Sequence, residues 1–111
     1  FQRLSDAALR DYIAASKAPR DDGSLTLRYS RDWEAAVYGS APRVRGAIRR
    51  LQVPTLGLRG RDSDTLHPEI FARWSHWQPQ ARLQEVPGGH LFPMEHPAET
   101  AAAVFDYLST L

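Results

Sequence analysis

His90 is the residue whose surroundings point most directly to catalysis. It follows Gly88 and Gly89, and a short segment ending in an apolar residue, 81–86, precedes the glycines. Glycines let the backbone turn sharply, and a strand before the turn with a helix after it would hold the imidazole in place. Histidine titrates near neutral pH, so this layout is typical of a general base on a loop.

A general base of this kind needs a carboxylate on its other ring nitrogen. The carboxylate fixes the tautomer and stabilises the imidazolium that forms. Asp62 and Asp64 are the candidates, in a loop of acidic and hydroxyl residues, 61–68, that follows another apolar segment. Either aspartate could instead be a turn residue that accepts hydrogen bonds from nearby backbone N–H groups.

The elements that must position these residues alternate in the second half of the chain. Residues 53–60 are apolar on both faces and bounded by proline and glycine, which indicates a buried strand of a parallel sheet with Pro54 at its start. A helix over 69–77, a strand over 81–86 and a helix from Pro97 follow. This order predicts a parallel crossover unit with both loops at the carboxyl ends of the strands, where such sheets place their sites. The apolar stripe of the last helix comprises Ala101, Val104, Phe105 and Leu108.

The first part of the chain lacks that alternation. Helices are expected after the N-caps Ser5 and Ser30 and over residues 42–50, with Pro42 at the first helical position. A polar turn over 20–24 and a short extended piece lie between the first two helices. An organisational boundary is therefore predicted after residue 51, which gives two domains, 1–51 and 52–111.

Two parallel strands do not make a stable sheet, because each needs a neighbour for its backbone groups. The chain also opens with Phe1 and not with methionine, which is compatible with its being the later part of a longer polypeptide. We therefore expect another polypeptide, or a preceding part of the same one, to supply the remaining strands.

Composition narrows the function classes. The chain has 111 residues, a net charge of +1 and 42% apolar residues, which is ordinary for a soluble globular protein. This balance gives no nucleic-acid footprint. Without cysteine the chain has no disulfide framework, thiolate metal site or cysteine nucleophile. No apolar run is long enough to span a bilayer and no signal peptide is visible, so the cytoplasm is the default location.

The segment from residue 53 to 111 resembles the C-terminal part of an α/β-hydrolase. Residues 53–60 resemble the strand that delivers the triad acid, and residues 61–64 resemble the loop of that acid. Residues 87–97 resemble the loop of the triad histidine and the start of the last helix. The order acid then histidine is the later part of the serine–aspartate–histidine order of that fold. The earlier helices resemble a lid and the helix that returns from it.

The resemblance implies that His90 is the triad base and Asp64 the triad acid. Asp64 lies before Pro68 at the spacing that the family favours, and the hydroxyls of Ser63 and Thr65 beside it could orient it. Asp62 stays the alternative acid.

The resemblance also implies hydrolysis, most economically of a small-molecule ester, with no cofactor, no metal and no nucleic-acid or membrane partner. The chain lacks the Gly-x-Ser-x-Gly nucleophile elbow of the family and its oxyanion-hole donors. We therefore expect an N-terminal part of the same hydrolase, as a separate chain or a missing segment, to supply them, and this chain to be inactive alone. Two alternatives stay open: a non-catalytic binding or scaffold module, and a hydrolase with an aspartate nucleophile acting on epoxides or haloalkanes.

Overall fold

Two compact units make up the chain, Phe1–Arg43 and Val44–Leu111. The computed structural model describes residues 2–40 and 44–111 of them. The domain boundary predicted after residue 51 separates a lid from a hydrolase core, and it stays a prediction.

The first unit consists of two helices around a hairpin. Its elements are α1 (Asp6–Ser16), β1 (Lys17–Pro19), β2 (Leu25–Leu27) and α2 (Arg31–Gly39). β1 and β2 pair antiparallel, with Lys17 opposite Leu27. The sequence predicts a fading helix where β1 lies, and the strand forms there because β2 supplies its hydrogen-bond partner.

Both predicted N-caps of this unit are confirmed. The Ser5 hydroxyl accepts from the Ala8 N–H, and the Ser30 hydroxyl accepts from the Trp33 N–H. Each bond satisfies one of the N–H groups that have no partner inside the first helical turn.

The predicted polar turn closes the hairpin. Gly23 has a φ of 80°, which glycine adopts at low cost. The Asp22 carboxylate accepts from the Ser24 hydroxyl at 2.6 Å and from its backbone N–H at 2.9 Å. Both bonds hold the pKa of Asp22 below its usual range, and the bond from the Ser24 hydroxyl has the larger effect.

The second unit contains the predicted order of strand, helix, strand and helix. Its elements are α3 (Val44–Ile48), β3 (Leu56–Gly60), α4 (Pro68–Trp77), β4 (Arg82–Val86), α5 (Phe92–Glu95) and α6 (Pro97–Leu108). β3 begins at Leu56, so the prediction that Pro54 starts the strand is wrong; Pro42, the predicted first residue of α3, lies outside the described residues. The short helix α5 is absent from the sequence prediction.

β3 and β4 pair parallel, as predicted, with Leu56 opposite Arg82 and Gly60 opposite Val86. Successive side chains of a strand point to opposite faces. The Arg82 guanidinium binds Asp106 of α6 at 2.6 Å, whereas Leu83 lies on the other face, where a Cβ on Gly57 would meet both Leu83 and Trp74 of α4. The helices α4 and α6 thus cover opposite faces of the strand pair.

The apolar stripe predicted for α6 is not its buried face. Ala103 is the buried residue of this helix, whereas Phe105 is 71% exposed and Leu108 is 53% exposed. The Arg82–Asp106 pair joins the helix to β4, whereas Phe105 and Leu108 of the predicted stripe lie largely exposed. Among the described residues, no helix is long and apolar enough to cross a membrane.

Candidate active site

Two loops leave the carboxyl ends of the paired strands. The acid loop, residues 61–67, follows β3, and the histidine loop, residues 87–91, follows β4. The acid loop begins with two backbone hydrogen bonds, both at 2.9 Å: the Arg61 N–H donates to the Val86 carbonyl at the end of β4, and the Asp62 N–H donates to the Gly88 carbonyl in the histidine loop. The parallel ladder therefore continues past the strands and draws the two loops together.

Glycine makes this close approach possible at Gly60. A Cβ there would overlap the Gly89 carbonyl oxygen and would lie 2.7 Å from the Gly88 carbonyl oxygen. Both obstacles are backbone atoms, which cannot rotate away as a side chain can. The end of β3 is thus in direct contact with the diglycine that precedes His90.

The acid loop is folded around the Ser63 side chain. The Ser63 hydroxyl is buried and accepts from the N–H groups of Leu66 at 3.2 Å and Thr65 at 3.4 Å. The Thr65 hydroxyl donates to the Asp64 carboxylate at 3.2 Å. Of the two hydroxyls expected to orient Asp64, only that of Thr65 contacts it; the other shapes the loop backbone.

The histidine loop is fixed by Gly88 and Glu95. Gly88 has a φ of 103°, a conformation that favours glycine. The Glu95 carboxylate accepts from the Gly89 N–H at 2.6 Å. Glu95 ends α5 and holds the residue next to His90.

Arg59 is a further residue that the sequence pattern did not single out. It is 4% exposed, and its guanidinium donates to Glu85 on β4 and to carbonyl oxygens of the acid loop. The available signal was an arginine inside an otherwise apolar segment, since a charged residue is almost never fully buried unless it is paired.

Asp64 and His90 lie on adjacent loops, and both are exposed. Among the residues that the structure describes, no hydrogen bond joins the Asp64 carboxylate to the His90 ring. Catalytic hydrogen bonds are often long before substrate binds, so the assignment of both residues stays a prediction. Asp62 takes part in the junction through its backbone N–H.

In residues 2–40 and 44–111, no cluster of His, Asp and Glu could hold a metal ion.

No protein-family model matches the sequence, and no curated protein matches it significantly. Solved structures do match. An E-2-(acetamidomethylene)succinate hydrolase superposes with a TM-score of 0.87 at 23% identity, over 98% of this chain and 41% of its own. The thioesterase domain from the curacin biosynthetic pathway gives 0.62 at 20% identity, over 98% and 39%. A marine microorganism esterase gives 0.65 at 18% identity, over 94% and 41%.

These similarities establish the fold. The chain has the α/β-hydrolase fold, in the C-terminal portion that carries the acid and histidine loops, as the sequence resemblance predicts. It spans about two fifths of the length of the solved structures that it matches.

Proposed function

We propose that this chain forms the acid-and-histidine part of a hydrolase that cleaves small-molecule esters with a Ser-His-Asp triad. Asp64 and His90 are the triad residues of this chain. An N-terminal part of the same hydrolase, as a separate chain or a joined segment, supplies the serine and the oxyanion hole. A cytoplasmic location belongs to the same proposal, as does inactivity of this chain alone.

One observation carries the proposal: the backbone junction that joins the acid loop to the histidine loop at the carboxyl ends of adjacent parallel strands. This is the edge at which α/β sheets place their sites. The similar structures are those of a hydrolase, a thioesterase domain and an esterase, which favours acyl transfer to water over other reactions.

In the proposed mechanism, His90 removes the proton of the attacking serine and returns it to the leaving alcohol. Asp64 accepts a hydrogen bond from the other ring nitrogen and stabilises the imidazolium. A water molecule then attacks the acyl-enzyme with His90 again as the base, and the acid is released. The reaction needs no metal or cofactor, because the charge on the tetrahedral intermediate is held by the oxyanion-hole donors.

The test is His90→Ala in the complete hydrolase, assayed with p-nitrophenyl acetate. Loss of a general base should lower kcat on the order of 10³-fold or more. His76→Ala is the matched control, because His76 lies exposed on α4 and bonds only its neighbour Ser75 among the described residues. Unchanged turnover in His90→Ala would contradict the triad, whereas absence of turnover in the wild-type protein would favour the binding-module alternative.

The partner is tested separately, by purifying the chain under native conditions and identifying what accompanies it. The expected result is a polypeptide, joined or associated, that carries a Gly-x-Ser-x-Gly segment. A single active species without such a segment would contradict this part of the proposal.

A further inference from the structure

We infer that Arg59 is a positioning residue for the triad acid: its buried guanidinium sets the path of the acid loop and thereby the place of the Asp64 carboxylate. The inference rests on the proposed function, because it concerns how that site is held. It concerns a residue that touches neither substrate nor base.

Arg59 and Glu85 face each other across the strand pair. They are register partners of β3 and β4, so their side chains leave the same face of the sheet. Arg59 Nη1 lies 2.6 Å from Glu85 Oε1. Burial of a lone cation would be costly, and the ion pair with Glu85 compensates for this cost. The same pair fixes the guanidinium where the acid loop begins.

The remaining donors of Arg59 go to the backbone of the acid loop. Nε donates to the Leu66 carbonyl at 2.6 Å, Nη1 to the Arg61 carbonyl at 3.0 Å and Nη2 to the Ser63 carbonyl at 3.3 Å. These carbonyls lie on both sides of Asp64 in sequence. One planar, rigid group thus binds the loop before and after the acid.

The bonds from Arg59 act together with those of the Ser63 hydroxyl, which accepts from the N–H groups of Thr65 and Leu66 within the loop. The Asp64 side chain is exposed and accepts a hydrogen bond from the neighbouring Thr65 hydroxyl. Its direction therefore depends on the backbone that carries it. A displacement of about 1 Å in a catalytic group can cost on the order of 100-fold in rate, which is why the guanidinium matters for catalysis as well as for stability.

The test is Arg59→Met in the complete hydrolase, with kcat, KM and the pH profile of kcat/KM for p-nitrophenyl acetate. We expect kcat to fall on the order of 100-fold with KM nearly unchanged. The pH profile of kcat/KM should change as well, because the base would lose its proposed carboxylate partner. A role in stability alone would lower the melting temperature and leave the profile in place.

Arg82→Met is the matched control. Arg82 lies on the neighbouring strand and pairs with Asp106 at the same 2.6 Å, but it does not contact the acid loop. Its loss should leave both kcat and the pH profile unchanged. A folded Arg59→Met protein with the kcat and pH profile of the wild type would overturn the inference.

If Arg59→Met does not fold, the variant Arg59→Lys tests the inference in its place. Lysine keeps the charge opposite Glu85, but its single nitrogen cannot reproduce the fork that binds the carbonyls of the acid loop. We expect a folded protein with a lowered kcat and a changed pH profile of kcat/KM; a wild-type kcat with an unchanged profile would overturn the inference. Failure of the proposed function itself has a different signature, since His90→Ala would then keep its turnover in the same assay.

Discussion

The two loops of the candidate site are held by different means. The histidine loop is held by a carboxylate, Glu95, which binds the Gly89 N–H. The acid loop is held by a cation, Arg59, which binds carbonyl oxygens. In both cases a side chain from outside the loop binds the backbone, so the loop keeps its shape while His90 and Asp64 stay exposed.

The choice between Asp64 and Asp62 as the acid is settled by paired variants in the complete hydrolase. Asp64→Asn should lower kcat on the order of 10⁴-fold, because an amide favours the wrong tautomer of the base. Asp62→Asn should leave kcat near the wild-type value if Asp64 is the acid, because the variant keeps the backbone N–H that bonds the Gly88 carbonyl. Initial rates with p-nitrophenyl acetate give the comparison, and the reverse outcome would assign the triad to Asp62.

Sequence patterns predicted the candidate site residues but not the contacts that hold their loops. Glu95 stands where an acidic residue commonly stabilises a helix start, and nothing local shows that the chain folds back to present the Gly89 N–H to it. Arg59 lies in an apolar segment, and its partners are on another strand and in the loop. Such bonds depend on the path of the chain in space, which hydrophobic periodicity does not encode.

The strand pair and its loops form one rigid junction at the carboxyl edge. β3 ends in Gly60, and the junction is close because no side chain lies between this strand end and the histidine loop. The element order was predictable because proline and glycine mark both ends of the apolar segments. β1 was not, since its few residues become a strand only through pairing with β2.

Gly60→Ala should therefore destabilise the protein by about 1–3 kcal/mol, the usual cost of forcing atoms into a packed region. Gly46→Ala is the control: it lies within α3, where the nearest atom to a new Cβ is 4.0 Å away. Alanine there should stabilise by about 0.5 kcal/mol, because it has the higher helix propensity. Denaturant titrations of both variants measure the free energy of unfolding; equal effects would show that the Gly60 contact is not tight.

Apolar side chains remain exposed on both units. In the first unit Trp33 is 65% exposed, and in the second the stripe of α6 includes Phe105 and Leu108. Soluble proteins rarely leave large apolar patches uncovered. The proposed N-terminal part of the hydrolase is the partner that we expect to cover the stripe of α6.

The chain produced alone should accordingly bind the dye 8-anilinonaphthalene-1-sulfonate and increase its fluorescence. Phe105→Ser should reduce the signal, and addition of the N-terminal part should reduce it further, because both remove apolar surface from water. Fluorimetry at fixed chain concentration measures each step. If the chain alone gave no signal, the stripe would not be an accessible apolar patch.

The junction between the acid and histidine loops is made by main-chain atoms. Every residue except proline offers the same N–H and C=O groups, so substitution over evolutionary time can alter most side chains around the junction without breaking it. Only positions such as Gly60 and Gly88, where a Cβ has no room, restrict the choice of residue. A junction of this kind tolerates many substitutions. This agrees with the superposition of the chain on a solved structure at a TM-score of 0.87, with only 23% of residues identical.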